Sequence, residues 1–144
     1  MTGFDLDDFL PYQLAVAAAR VSRGFADRYR EEFGITIPEW RVLAHLSAAG
    51  GPVSVREIHA RVDMDKSKVS RAAARLERAG LVAKAENAED RRLVALTLTP
   101  AGAALVARIV PVALDWQAQM TARLGSAEDV AAFRRVLARV IEEA

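Results

Sequence analysis

Asp65-Lys66-Ser67-Lys68-Val69-Ser70-Arg71-Ala72-Ala73-Ala74-Arg75-Leu76-Glu77-Arg78-Ala79-Gly80 is the stretch whose reading decides the fold. Asp65 can cap a helix by accepting a hydrogen bond from an early free backbone N–H, the alanines favour propagation, and Gly80 supplies a left-handed stop. At helical spacing Val69, Ala72 or Ala73, Leu76 and Ala79 share one side, while Lys66, Ser67, Ser70, Arg71 and Arg78 lie largely away from it. One face packs; the other carries cations and hydroxyls. From Asp65 to Arg75 the cations Lys66, Lys68, Arg71 and Arg75 oppose a single acid, and small Ser and Ala side chains let the backbone approach another surface closely. Such a face suits a DNA groove. By default, however, a charged helix face is solvated surface, so the neighbouring sequence has to decide.

Immediately upstream, Ser54-Val55-Arg56-Glu57 has the form of a capping box, in which the serine caps an early N–H while the glutamate reaches back. A short helix through Val62 follows, with Val55, Ile58 and Val62 packing against the Asp65 helix across the turn Asp63-Met64. Two short helices joined by a tight turn, the second one basic, make a helix-turn-helix. Downstream of Gly80 the period changes. Leu81 to Glu86 and Leu93 to Thr99 are short runs rich in Val, Leu and Thr, separated by polar Asn87 to Arg92, which predicts a two-stranded hairpin, or wing.

Outside this core, Leu6, Leu10, Leu14, Ala18, Val21, Phe25 and Tyr29 recur at helical spacing and predict a long amphipathic helix from Leu6 to Phe33, which Pro11 either kinks or shortens. Gly34 ends it, and Pro38 suits the first turn of the next helix. Glu39 to Ala49 then buries Trp40, Val42 or Leu43, and Leu46. Pro100 opens a helix with Leu105, Ile109, Val112 or Ala113, Trp116 and Met120 on one stripe, in which Pro111 predicts a kink. Gly125 breaks it. Ser126 caps a last helix whose stripe is Val130, Phe133, Leu137, Val140 and Ile141. These terminal helices are more apolar than a winged helix needs. A second copy covering them gives a two-fold homodimer, whose paired basic helices meet a palindromic site one turn apart. The expected organisation is thus mainly α with a small hairpin wing: 1–36 and 100–144 for dimerisation, 37–99 for DNA.

The chain of 144 residues fits one domain with a real core, and its net charge of +1 does not by itself advertise nucleic acid. The distribution says more. Ser54 to Arg92 holds ten cations against seven acids, and the rest holds ten against twelve. No apolar run approaches the roughly 20 residues needed to span a bilayer, and the start is acidic (Asp5, Asp7, Asp8), so the expectation is a cytoplasmic protein with no membrane partner. The absence of cysteine excludes disulfides, cysteine-ligated zinc and thiol redox sensing. His45 and His59 are isolated, so no metal site is expected, and no cofactor. An enzyme would need a nucleophile with its base, paired carboxylates or a phosphate cradle. There is no Gly-rich loop, nucleophile elbow or His-Glu helix motif. A winged helix used only for protein assembly is the remaining alternative, against which the Ser, Lys and Arg face argues.

The order of these elements, with Pro38-Glu39-Trp40-Arg41-Val42-Leu43, the run Arg75 to Val82, Asp90-Arg91-Arg92 and Leu96-Thr97-Leu98-Thr99-Pro100-Ala101-Gly102, resembles the MarR family of dimeric winged helix-turn-helix regulators over essentially the whole chain. The run Arg75 to Val82 is common to many winged helices; coupled to the other two motifs at these spacings it is specific. The resemblance implies a recognition helix in the major groove and a wing-tip arginine in the minor groove. Carried over by motif position, that arginine is Arg92, with Asp90 orienting it and Arg91 nearer phosphate. A guanidinium favours a narrow, negatively charged minor groove, and a residue two positions away on a strand lies on the same side. The expected DNA-binding set is Ser54, Lys66, Ser67, Lys68, Ser70, Arg71, Arg75, Asp90, Arg91 and Arg92. Within it, Lys68 and Arg71 with Ser67 and Ser70 serve the groove edge, and Lys66 and Arg75 serve phosphate. Family members often bind small aromatic acids that lower DNA affinity. Candidates for such an effector are Arg20, Arg23, Trp40, His45 and Trp116, although both tryptophans sit on apolar stripes, where such residues are more often core. The implied function is a repressor of transcription released by a small aromatic or anionic ligand.

Overall fold

The computed structural model describes residues 3–86 and 94–143. The basic stretch forms a helix, Lys66–Arg78, preceded by the short helix Val55–Val62. In chain order the elements are a 3-10 turn (Leu6–Asp8), α1 (Leu10–Phe33), α2 (Ile37–Ala49), β1 (Val53–Ser54), α3 (Val55–Val62), α4 (Lys66–Arg78), β2 (Val82–Glu86), β3 (Val94–Leu98), α5 (Pro100–Leu124) and α6 (Ala127–Glu143). They divide into two compact units, one ending at Ile109 and the other beginning at Val110, with α5 continuous through both and Pro111 inside it.

In the first unit, Val42, Leu43 and Leu46 of α2, Ile58 and Val62 of α3, and Val69, Ala72, Ala73 and Leu76 of α4 close one core with Val53, Val82 and Leu96 of the sheet. Ala26 and Tyr29 of α1 and Val106 and Ile109 of α5 complete it. The expected α4 stripe is realised except at Ala79, which is exposed because it already belongs to the helix cap. Gly80 (φ 76°) then supplies the left-handed turn, its N–H donating to Glu77 O and that of Leu81 reaching back to Leu76 O.

Several local details depart from the sequence reading. Pro11 moves the start of the first helix: Leu6–Asp8 is a separate 3-10 turn, and Pro11 stands in the first turn of α1, where its missing N–H has no helical partner to lose. α2 begins at Ile37, two residues earlier than expected, because Thr36 caps it. The Glu39 N–H donates to Thr36 Oγ1 (3.3 Å), whose hydroxyl donates to Glu39 Oε1 (2.9 Å). Asp65 holds the N-cap position of α4 but makes no side-chain cap bond; its carbonyl accepts the first helical bond from Val69. The wing gains a third strand. The sheet order is β1-β3-β2, all antiparallel, with Val53 opposite Leu96 and Ser54 opposite Ala95. β2 pairs with β3 from Val82–Leu98 to Glu86–Val94.

The second unit is the C-terminal part of α5 and all of α6. Ser126 caps α6 as expected, accepting from Asp129 N–H (3.2 Å), while Asp129 Oδ2 accepts from Ser126 N–H (3.0 Å). No residue from Val110 to Glu143 is buried within the chain. Among the described residues no helix is long and apolar enough to cross a membrane.

Candidate nucleic-acid interface

α4 presents its charge as the spacing predicts. Lys66, Ser67, Lys68, Ser70 and Arg71 are all exposed, while Val69 between them is fully buried and anchors the helix. Burying one apolar side chain of this size contributes about 1.5–3 kcal/mol, so the exposed row is held in place by residues interleaved with it. The turn before α4 is pinned as well. Asp63 takes a left-handed conformation (φ 51°), and His59 Nδ1 donates to the carbonyl of Met64 at 2.6 Å. His59 thus fixes the helix-turn-helix corner, a role the sequence did not disclose.

Two residues of the expected DNA-binding set are engaged inside the protein. Ser54 is buried, pairs in the sheet with Ala95, and caps α3 by accepting from Glu57 N–H at 3.1 Å. Its place is structural rather than on the exposed face. The glutamate returns to the serine hydroxyl, not to its backbone N–H (Oγ to Oε1, 3.5 Å). Arg75 forms an ion pair with Glu39 (Nε to Oε1, 3.3 Å), which ties α4 to α2. Its side chain is 41% exposed against 12% for Glu39, so part of the guanidinium remains open to solvent. Asp90, Arg91 and Arg92 lie outside the described residues.

The sequence also missed two cations that the fold brings beside Lys66. A groove of about 680 Å³ is lined by Val55, Arg56 and His59 of α3, Lys66, Ser70, Ala73 and Ala74 of α4, and Lys84, Val94 and Leu96 of the sheet. Arg56, Lys66 and Lys84 come from three elements and frame an apolar floor. Only convergence in space marks Arg56 and Lys84 as partners of Lys66; in sequence each of the two stands apart from the basic row of α4.

The five effector candidates line neither this groove nor the one between α5 and α6, of about 520 Å³, formed by Leu114, Ala118, Thr121, Val130 and their neighbours. Trp40 packs on the core, its ring 5.6 Å from Phe25 and 6.0 Å from Tyr29. Trp116 is half-buried in the second unit, and Arg20 and Arg23 are exposed. Burial, and then the positive field of Arg61, hold His45 below its ordinary pKa and favour the neutral ring. Burial pushes the Tyr29 hydroxyl up to about 12, against the pull of Arg41 and Arg30. Among the described residues no cluster of three potential metal ligands occurs.

The arrangement has counterparts among known proteins. Residues 33–93 match a sequence profile of the MarR family. The chain is 39% identical over 72 residues to the HTH-type transcriptional repressor MdtR of Bacillus subtilis, which covers 50% of this chain and 46% of MdtR, so the match spans about half the length of that relative. The PcaV transcriptional regulator of Streptomyces coelicolor, solved in complex with its natural ligand, superposes with a TM-score of 0.77 at 25% identity over 99% of each chain. A mutant MarR of E. coli complexed with operator DNA gives a TM-score of 0.80 at 23% identity, over 96% of this chain and 99% of that one, a likeness of fold.

Proposed function

We propose that the chain is a member of the MarR family, whose profile its residues 33–93 match, and that it is a homodimeric, double-stranded DNA-binding repressor of transcription with α4 as its recognition helix. The observation that carries this reading is the sorting of α4: every residue from Lys66 to Arg71 except Val69 is exposed, and the exposed ones are cations and hydroxyls. Lys68 and Arg71, with Ser67 and Ser70, read base edges, where a good bidentate contact discriminates by about 1–3 kcal/mol. Lys66 and the free part of Arg75 meet phosphate. Arg92, held by Asp90, enters the minor groove, and Arg91 lies nearer phosphate. α1, α5 and α6 join two copies, so the operator is pseudo-palindromic.

Release by a small anionic or aromatic ligand completes the proposal. The groove beside α4 suits such a ligand, since Arg56, Lys66 and Lys84 offer charge above Val55, Val94 and Leu96. An occupant would engage Lys66 and Ser70, which the proposal also assigns to DNA, so the two compete. The five candidates read from the sequence remain the alternative seat.

Recovering bound duplexes from a random pool tests the core of this. The wild-type chain is expected to select one palindromic sequence, and Lys68→Ala and Arg71→Ala are expected to relax it. An unchanged preferred sequence in both variants removes α4 from the reading role. Binding without salt dependence would favour a protein-assembly module instead.

A further inference from the structure

The Leu-Thr-Pro-x-Gly run from Leu98 to Gly102 is a motif that the DNA-binding face does not use. In the structure it joins the end of α4 to the start of α5. Thr99 Oγ1 donates to the carbonyl of Gly80 at 2.6 Å and accepts from the N–H of Gly102 at 3.1 Å. The Thr99 N–H donates to Leu81 O at 3.1 Å, and the Thr99 carbonyl accepts from Ala103 at 2.9 Å, the first helical bond of α5. Gly102 is buried, and a methyl group there would collide with the Leu81 carbonyl oxygen and crowd Leu98. Gly80 and Leu81 are themselves bonded back into the last turn of α4, to Glu77 and Leu76. An unbroken series of bonds therefore runs from α4 through one threonine into α5.

We infer that Thr99, seated by Gly102, is a positioning residue that locks the tilt of the recognition helix to α5 and thereby sets the half-site spacing that a dimer accepts. The inference rests on the proposed DNA-binding function and adds the residue that governs its geometry. Leverage makes the clasp matter. α4 has 13 residues, so it is about 20 Å long, and a tilt of about 10° about its C-terminal end moves its other end by about 3 Å. That is close to the axial rise of one base pair, and the displaced end carries Lys66 to Ser70. The hydroxyl is held from both sides, as donor to one helix end and acceptor from the other, while the missing Cβ of Gly102 admits the close approach. Other stops to α4 would end the helix equally well without fixing it to α5.

The test uses the duplex selected by the wild-type chain and versions with one or two base pairs inserted at its centre, each of which rotates the half-sites by about 34°. Wild type is expected to lose at least about tenfold in affinity on such insertions, because its recognition helices cannot re-aim. Thr99→Val keeps the shape and removes both side-chain bonds; it is expected to bind a single half-site as wild type does, but to accept the inserted duplexes within about threefold of the original. Thr99→Ser retains the hydroxyl and is expected to restore the wild-type profile. Gly102→Ala, which forces the clasp open sterically, is expected to behave like Thr99→Val and carries the test if the valine variant fails to fold. Thr99→Val or Gly102→Ala with wild-type discrimination overturns the inference, as does Thr99→Ser relaxed to the same degree as valine. A wild-type chain that selects no duplex overturns the proposed function, and this inference with it.

Discussion

α4 and α6 share one pattern, apolar residues at three-or-four spacing beneath a charged face, and reach opposite ends. In α4 the stripe Val69, Ala72, Ala73 and Leu76 disappears completely into a core shared with α2, α3 and the sheet. In α6, of 17 residues, nothing is buried: Phe133 is 46%, Val136 53% and Ile141 76% exposed. The difference teaches that periodicity announces that a face will be covered without naming the cover. For α4 the cover lies within the chain; for α6 the proposed cover is a second copy. The first kind of burial stabilises at any protein concentration, whereas the second must show mass action.

The largest expected effect comes from attacking each kind directly. Leu76→Ala removes a fully buried side chain from the α4 core and is expected to destabilise by about 2–5 kcal/mol. Chemical denaturation should give that loss at every protein concentration. Phe133→Asp places a charge on the open stripe and is expected to yield a folded monomer in sedimentation at concentrations where wild type is a dimer, because an unpaired charge resists desolvation in an interface. If wild type sediments as a monomer at micromolar concentration, the contrast between intrachain and interchain burial is broken.

Next in size is an alkaline effect confined to the first unit. Tyr29 is buried against Phe25 at 4.8 Å, and its hydroxyl titrates near 12 rather than near 10. Between those values the unfolded chain releases this proton and the folded chain retains it. Stability therefore falls as pH rises from about 10 to about 12, by about 1–3 kcal/mol, and is fully present below 10. Tyr29→Phe should remove this slope from unfolding curves. A slope equal to that of wild type would show that the burial of Tyr29 does not set it.

The fold was legible wherever a period ran long enough to count. α1, α4, α5 and α6 lie close to where their stripes put them, and the hairpin strands follow from Val and Thr content, because such patterns average over many residues. β1 was not legible, since a two-residue strand has no period and forms only because β3 has a free edge beside it. Pro38 stands in the first turn of α2 as its missing N–H suggests, but the cap at Thr36, which starts the helix at Ile37, has no signal beyond a threonine three residues before a glutamate. The site divides the same way. Exposure along α4 could be read from spacing, but the Glu39 pairing of Arg75 spans 36 residues, and the meeting of Arg56, Lys66 and Lys84 depends on tertiary structure that no local pattern encodes. The cap that Ser54 places on α3 could be read from its capping box, but its burial was not legible, because a capping serine and a phosphate-binding serine look alike in sequence.

Charge on α4 offers a finer test of the same contrast between inward and outward residues. Lys66 is exposed, and no ion pair ties it to another described residue, whereas Arg75 is tied inward to Glu39. Lys66→Ala should therefore lower the salt dependence of DNA binding by about one unit of slope while leaving the preferred sequence unchanged. Arg75→Ala should lower the slope by less and should also cost stability, because it removes the cation from the largely buried Glu39 carboxylate and leaves it the Thr36 hydroxyl as donor. Equal slopes and equal melting temperatures for the two variants would mean that the Glu39 pair is open in solution and that both cations serve phosphate alike.

The smallest expected effect lies at His45 on α2. Burial, followed by Arg61, depresses its pKa, so the folded chain resists protonating a ring that the unfolded chain protonates near 6.5. Its neutral form contributes stability above that value, and the contribution declines as pH falls through 6.5 and below. The ring is only partly buried, so the decline should be slight, and His45→Asn should flatten it between about pH 7 and 5. Should an aromatic acid bind beside His45 instead of in the groove by Lys84, its carboxylate would favour the protonated ring and raise that pKa. Titrating the histidine with and without salicylate, as a simple aromatic acid, therefore separates the two seats: an upward shift supports the sequence-derived site. No shift, together with loss of salicylate-induced DNA release in Lys84→Ala, assigns the effector to the groove.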